Sequence, residues 1–309
     1  MDQDIFISIV IPAYKSKNSL KPLYERISST FDEEEYEIII VDDYSNDGTW
    51  DVIEYLSKLD SRVRGIKLSR NYGQHPATIC GIVNSKGKWV ATIDDDLEQS
   101  PEDLRKLLSK ALEGYDLVYG NYKTKTHPFW RILSSKLLKF ILSKTIISFN
   151  GWSSIRVVRG RLARKISEFS TSTPIVDGYL AWIIKNYAIV KINQNKRFTG
   201  GSNYNFRKLI RLGLNFFLEF SNSPLRFVGI LGVFMSLLGL FMLIFILYAK
   251  IYGLIAVVGY ASIMSAILFF SGVQFLILSI LGEYIAFINS KVSNKPIFTI
   301  SIDTKNQKF

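Results

Sequence analysis

Residues 88–103 read KWVATIDDDLEQSPED. A short aromatic and β-branched run, 88–93, breaks into three consecutive carboxylates, Asp94, Asp95 and Asp96, and then into a helix start at Ser100 and Pro101. Ser100 can cap that helix, proline suits its first position, and Glu102 and Asp103 complement its positive first turn. A buried strand that runs through an acidic turn into a helix is one unit of a parallel α/β sheet. The same pattern precedes it. Residues 6–12 (FISIVIP) and 36–41 (YEIIIV) are apolar strands with an amphipathic stretch to about Phe31 between them. A helix comes next at 49–58, then a strand near 65–68, a helix from His75 and Pro76 through Val83, and, beyond the acidic turn, a strand at 115–119. Ligands of such sheets bind beyond the carboxyl ends of the strands. The polar clusters stand there: Pro12-Ala13-Tyr14, Asp42-Asp43-Tyr44-Ser45 and Asp94-Asp95-Asp96.

The chemistry open to these clusters is narrow. No G-x-G-x-x-G follows a strand and no G-x-x-x-x-G-K-[ST] occurs, which removes the main sequence support for dinucleotide redox and P-loop chemistry. One cysteine, Cys80, and two histidines, His75 and His127, exclude a disulfide framework and a multi-cysteine zinc cluster, so a metal here is held by oxygen. Three adjacent carboxylates repel any anion unless a divalent cation lies between them and the ligand. Asp94 and Asp96 project to one side of the local chain and Asp95 to the other, which suits Mg²⁺ or Mn²⁺ bridging a nucleotide diphosphate. An acidic turn that merely caps a helix is the competing reading.

The 309 residues are 48% hydrophobic, too apolar for a disordered chain, and carry a formal charge of +11 that is unevenly spread. Residues 1–118 hold 14 basic and 22 acidic groups, a net −8, whereas 119–211 hold 18 basic and 2 acidic, a net +16. Such a basic block expects an anionic partner, nucleic acid or a phosphate-bearing membrane. The C-terminal third favours the membrane. Residues 227–249 form 23 uncharged residues, long enough to span a bilayer, and 260–281 form a second uncharged run. Arg207, Lys208, Arg211 and Arg226 before the pair and Lys291 and Lys295 after it, against Lys250 between, place both flanks in the cytoplasm. The N-terminus, MDQDIFISIV, has acids where an export signal carries bases, so no cleaved signal is expected. Residues 128–149 interleave apolar residues with Arg131, Lys136, Lys139 and Lys144 as an interfacial helix does, a core-packing helix being the alternative, and 205–220 lead into the first span in the same style. The expected division is a catalytic domain over 1–204, a juxtamembrane helix over 205–225, a hairpin over 226–285 and a cytoplasmic tail over 286–309.

In order and spacing, Ile11-Pro12-Ala13-Tyr14, Val41 through Thr49 (VDDYSNDGT), Leu68 through Gly73 (LSRNYG) and Asp94 through Glu102 resemble the family 2 inverting glycosyltransferases of the GT-A fold. The polyprenyl-phosphate branch is the closer match: dolichol-phosphate mannose synthases and bacterial undecaprenyl-phosphate glucose and aminoarabinose transferases. The ending Leu281-Gly282-Glu283-Tyr284-Ile285 is similar to that branch's L-G-E-Y-I. The resemblance implies that Pro12, Tyr14, Asp42, Asp43 and Asp95 bind the nucleotide sugar and that Asp94 and Asp96 form the D-x-D pair, with Glu98 or Gln99 completing the metal shell. It also implies that Lys123, Arg131 and Ser135 hold the lipid phosphate and that Arg197 reaches the donor diphosphate and the acceptor phosphate. Asn203 stands where the family's G-x-S-K has lysine, and Asn150 where its D-x-x-S-G has aspartate.

The implied reaction is transfer of a monosaccharide from a nucleotide sugar, a UDP-sugar first among candidates, to undecaprenyl phosphate for cell-envelope glycan modification. Small residues along both uncharged runs permit contacts between copies, so a homo-oligomer, a tetramer among the options, is expected. Two rivals remain: a membrane-anchored scaffold that keeps the fold without turnover, and a family 2 enzyme that extends a glycan. Nucleic acid is not expected as a partner, because the basic residues lie in membrane-proximal amphipathic stretches.

Overall fold

The computed structural model describes residues 5–122, 153–168, 175–192 and 296–305, together with scattered positions between 241 and 292. The chain forms two units, one of residues 1–206 with 294–309 and one of 207–293.

The first unit is built on an eight-stranded sheet in the order β7 (Tyr187–Ile192), β5 (Leu117–Tyr122), β6 (Arg156–Arg159), β4 (Trp89–Thr92), β1 (Ile7–Ala13), β2 (Tyr36–Asp42), β3 (Val63–Leu68), β8 (Ile300–Asp303). Strand β1 (Ile7–Ala13) pairs in parallel with β2 (Tyr36–Asp42) and with β4 (Trp89–Thr92), and β2 pairs in parallel with β3 (Val63–Leu68). Every residue of β1, β2 and β4 is buried, which is why these strands read as continuous apolar runs rather than alternating ones. The crossovers are α1 (Leu20–Thr30), α2 (Thr49–Leu59) and α3 (Gln74–Val83). In α1 the buried Leu20, Leu23 and Ile27 fall on one face at helical spacing. In α3 the run Pro76–Ile82 is buried, and Gly81 lets the helix settle onto β1: a Cβ there would lie 2.2 Å from Val10 Cγ1. After β4 the chain enters α4 (Pro101–Leu112) with Pro101 in the first turn. Ser100 takes the cap position through its carbonyl, which accepts the Asp103 N–H at 3.0 Å, while its hydroxyl makes no capping bond.

The remaining strands depart from a simple alternation. Strand β5 (Leu117–Tyr122) is separated from β4 by β6 (Arg156–Arg159), which runs antiparallel to both. Strand β7 (Tyr187–Ile192) then adds in parallel to β5, preceded by the short α5 (Gly160–Ala163), a 3₁₀ turn (Arg164–Glu168) and α6 (Val176–Ile183). At the far edge β8 (Ile300–Asp303) pairs antiparallel with β3. The expected mostly parallel sheet is therefore observed with two reversed strands. The segment expected to be a tail returns to the sheet, held by a forked Arg64–Asp303 ion pair (2.6 and 3.1 Å) and by the Thr304 hydroxyl accepting the Gly65 N–H at 2.9 Å.

In the second unit the described positions are largely helical and leave large apolar side chains exposed, among them Phe241 (67%), Ile251 (79%) and Ile285 (65%). Among the described residues no helix is long and apolar enough to cross a membrane. The expected spans, 227–249 and 260–281, fall in large part on residues outside the described set, and the amphipathic stretches 128–149 and 205–220 lie wholly outside it.

Candidate active site

Three loops meet at the carboxyl ends of β1, β2 and β4, and each carries a non-glycine residue with positive φ: Lys15 (57°), Tyr44 (64°) and Leu97 (61°). Such backbone is strained for L side chains and persists where surrounding contacts over-determine it. Hydrogen bonds supply that determination. The Ser16 N–H donates to Thr49 Oγ1 at 2.9 Å and the Lys15 N–H to Ser45 Oγ at 2.9 Å, tying the first loop to the second. Asp95 Oδ2 accepts the Tyr14 N–H at 3.0 Å and the Ser16 hydroxyl, tying the first loop to the third.

The acids expected to bind nucleotide divide by role. Pro12 is buried inside β1 opposite Val41, while Tyr14 is 47% exposed at the rim. Asp42 is fully buried; its Oδ1 accepts the Ser45 N–H at 3.0 Å and its Oδ2 has no partner among the described residues. Burial raises its pKa above the ordinary carboxylate value. Both oxygens of Asp43 are engaged, accepting the Tyr72 and Gly73 N–H groups at 2.7 Å each. Gly73 sits at φ +97°, a conformation open to glycine, and this brings its N–H onto the carboxylate. Asp43 is thus a latch on the 69–73 loop. Asp95 is likewise an internal staple.

Asp94 is the most heavily braced residue of the site. Its Oδ1 accepts Gln74 Nε2 at 2.6 Å, and its Oδ2 accepts Ser154 Oγ at 2.5 Å and Gln99 Nε2 at 3.1 Å. Gln99 Oε1 accepts the Asp94 N–H at 3.0 Å, and Gln99 Nε2 also donates to Ser154 Oγ at 2.6 Å. The enclosed position pushes the Asp94 carboxyl up to about 6, with Asp96 and Asp95 adding to the rise against the Ser154 hydrogen bond. Gln99 is buried with its amide turned inward onto Asp94 and Ser154, and Asp96 Oδ1 accepts the backbone N–H of Glu98 at 3.1 Å.

The donor set suits a hard cation: oxygen ligands, and crowded carboxylates whose repulsion a divalent charge would relieve. Among the described residues no three or more acids, histidines or cysteines converge as a metal cage. A cation at Asp96 would therefore draw further ligands from a bound phosphate, the usual mode for Mg²⁺. Behind Asp94 a buried polar chain runs through the sheet. The Thr92 hydroxyl donates to the Ser154 carbonyl at 2.5 Å and accepts Arg156 Nε at 3.0 Å, and Arg156 pairs with Asp177 at the start of α6.

Sequence reading missed Gln74 and Ser154. Gln74 follows the glycine turn after β3, a position that marks a site loop; Ser154 lies 60 residues from Asp94 and no local pattern announces it. Lys123, Arg131, Ser135 and Arg197 lie outside the described residues, as do Asn150 and Asn203.

The sequence model of Glycosyl transferase family 2 matches residues 8–167, which contain all three loops. The chain is 34% identical over 305 residues to an undecaprenyl-phosphate 4-deoxy-4-formamido-L-arabinose transferase of Shewanella sediminis, covering 96% of this chain and 91% of that one. It is 28% identical over 305 residues, 97% of this chain and 94% of the relative, to the uncharacterized glycosyltransferase YkcC of Bacillus subtilis. In fold it is similar to glucosyl-3-phosphoglycerate synthase of Mycobacterium tuberculosis, crystallised with Mn²⁺, UDP-glucose and phosphoglyceric acid, at a TM-score of 0.52 and 17% identity over 69% of this chain and 78% of that one. With its motif-bearing loops gathered at the carboxyl edge of a GT-A-like sheet, the chain belongs to glycosyl transferase family 2.

Proposed function

We propose that this glycosyltransferase moves one monosaccharide from a nucleotide sugar, a UDP-sugar first among candidates, to undecaprenyl phosphate at the cytoplasmic membrane face, with inversion. The observation that carries the reading is the likeness, over nearly the whole chain, to a transferase named for that acceptor. The acidic edge at Asp94–Asp96 supports the donor half of the reading. The exposed apolar side chains at described positions of 241–292 support a hydrocarbon setting for the second unit. Connectivity supports two spans: residues 300–303 pair with β3, so an excursion through a membrane between 206 and 294 crosses it an even number of times.

In the proposed reaction an oxygen of the lipid phosphate attacks the anomeric carbon as that carbon's bond to the diphosphate breaks, and the nucleoside diphosphate departs. A phosphate monoester is largely dianionic at neutral pH, so no strong general base is required. The task is positioning and charge control. Asp94 and Asp96, with Glu98 beside them in the chain, would hold Mg²⁺ or Mn²⁺, which when bound stabilises charge building on the leaving diphosphate. Asp43 keeps the 69–73 loop against the donor side, and Lys123, Arg131, Ser135 and Arg197 are assigned to the phosphates of acceptor and donor. A homo-oligomer remains part of the proposal.

The test is incubation of the full chain in detergent with Mn²⁺ or Mg²⁺, undecaprenyl phosphate and a panel of nucleotide sugars, read by mass spectrometry. The expected result is a single lipid-linked monosaccharide. Folded, Mn²⁺-binding protein that yields no such product from any donor would overturn the proposal.

A further inference from the structure

We infer that Ser154 is a positioning residue for the donor site: its hydroxyl fixes the orientation of the Asp94 carboxylate and thereby the affinity of the adjoining carboxylates for a divalent cation. This role rests on the metal-dependent donor half of the proposed function.

A carboxylate at the end of a strand is otherwise free to rotate about two side-chain bonds. Here Asp94 Oδ2, Ser154 Oγ and Gln99 Nε2 close a three-membered ring of hydrogen bonds, at 2.5, 2.6 and 3.1 Å, and Gln74 holds the opposite oxygen at 2.6 Å. In that ring Gln99 supplies both amide hydrogens and Ser154 supplies one. Removing the serine hydroxyl leaves one Gln99 N–H without its acceptor and Asp94 Oδ2 with one donor in place of two.

Ser154 is itself held from behind. Its carbonyl accepts the Thr92 hydroxyl, Thr92 accepts Arg156 Nε, and the Arg156 guanidinium is closed off by Asp177. Thr92 and Arg156 are also register partners between β4 and β6. The serine hydroxyl therefore approaches Asp94 from a bend just ahead of β6 whose carbonyl is tied to β4 through Thr92, and not from the loop that carries Asp94, the arrangement that orients metal-binding carboxylates from outside the coordination sphere. Gln99 arrives from the loop that carries Asp94 and cannot by itself set the absolute direction of the carboxylate. Ser154, sixty residues away beside the neighbouring strand, can.

The experiment measures Mn²⁺ affinity in the presence of UDP by electron paramagnetic resonance, and UDP affinity without metal by calorimetry, on the full chain and on Ser154→Ala. The expected result is Mn²⁺ binding at least about tenfold weaker in the variant, the usual loss on deleting such a partner, while metal-free UDP affinity stays within about twofold. Mn²⁺ affinity within about twofold of the parent would overturn the inference and leave the proposed function standing. A parallel fall in metal-free UDP binding would also overturn it, since the serine would then be a general support of the fold. A parent protein that binds no Mn²⁺ with UDP would overturn the donor reading, and the inference with it.

Discussion

Asp94, Asp95 and Asp96 are consecutive and do three different things, and the difference lies in what each carboxylate meets. Asp95 closes the β1 loop, Asp94 is braced from three directions, and Asp96 stands beside Glu98. Asp96→Ala is expected to lower transfer by roughly 10²–10³-fold, the scale of losing one charge-stabilising group, with membrane insertion unchanged; an alanine variant with full activity at limiting Mn²⁺ contradicts the assignment. Asp43→Asn removes one of two charge-assisted acceptors from the Tyr72 and Gly73 N–H groups. It is expected to raise the donor KM about tenfold, about 1.4 kcal/mol, with a smaller effect on kcat; steady-state kinetics with an unchanged KM would refute the latch. The carboxylates themselves were legible from the sequence, because a strand running into three acids has few other uses. Their division of labour was not, since it is set by Ser16, Gln74 and Ser154, partners 20 to 79 residues away.

Among elements, β1 through α4 follow from the apolar runs and helix signals because each signal is local in sequence: β1, β2 and β4 are buried throughout, and α1, α2 and α4 bury one apolar face. Strands β6 and β8 do not. Strand β6 begins and ends with arginine, and the charge of its buried Arg156 is balanced by Asp177, 21 residues on. Strand β8, four residues with only Asp303 buried, has meaning only against β3, 239 residues earlier at the Arg64–Asp303 pair. Burial alone would raise the Asp303 pKa, but the Arg64 fork and the Lys305 N–H outweigh it and hold the carboxyl below its ordinary value. A depressed folded pKa gives stability that is present above the unfolded value, about 4, and lost as pH falls below it toward the folded value. Asp303→Asn should therefore cost about 3 kcal/mol at pH 7, the scale of a nearly buried cation left without its partner, and the difference from the parent should shrink below about pH 4. Thermal unfolding across that range checks it; a difference that does not change with pH would show that the ion pair is not what anchors β8.

At the scale of the whole molecule the charge split, −8 over 1–118 against +16 over 119–211, maps onto the proposed division between a metal-bearing donor side and a phosphate-holding acceptor side. Family membership follows from the matched sequence model over residues 8–167 and from the 34% identical relative that the chain covers to 91%. In the proposed reaction donor cleavage is coupled to a lipid phosphate. The most direct measurement of that coupling is the rate of UDP release from a UDP-sugar by the full chain in nanodiscs, with and without undecaprenyl phosphate and with and without a chelator. Release is expected only when both metal and undecaprenyl phosphate are present; release at the same rate without the lipid phosphate, or undiminished by the chelator, would contradict the coupling.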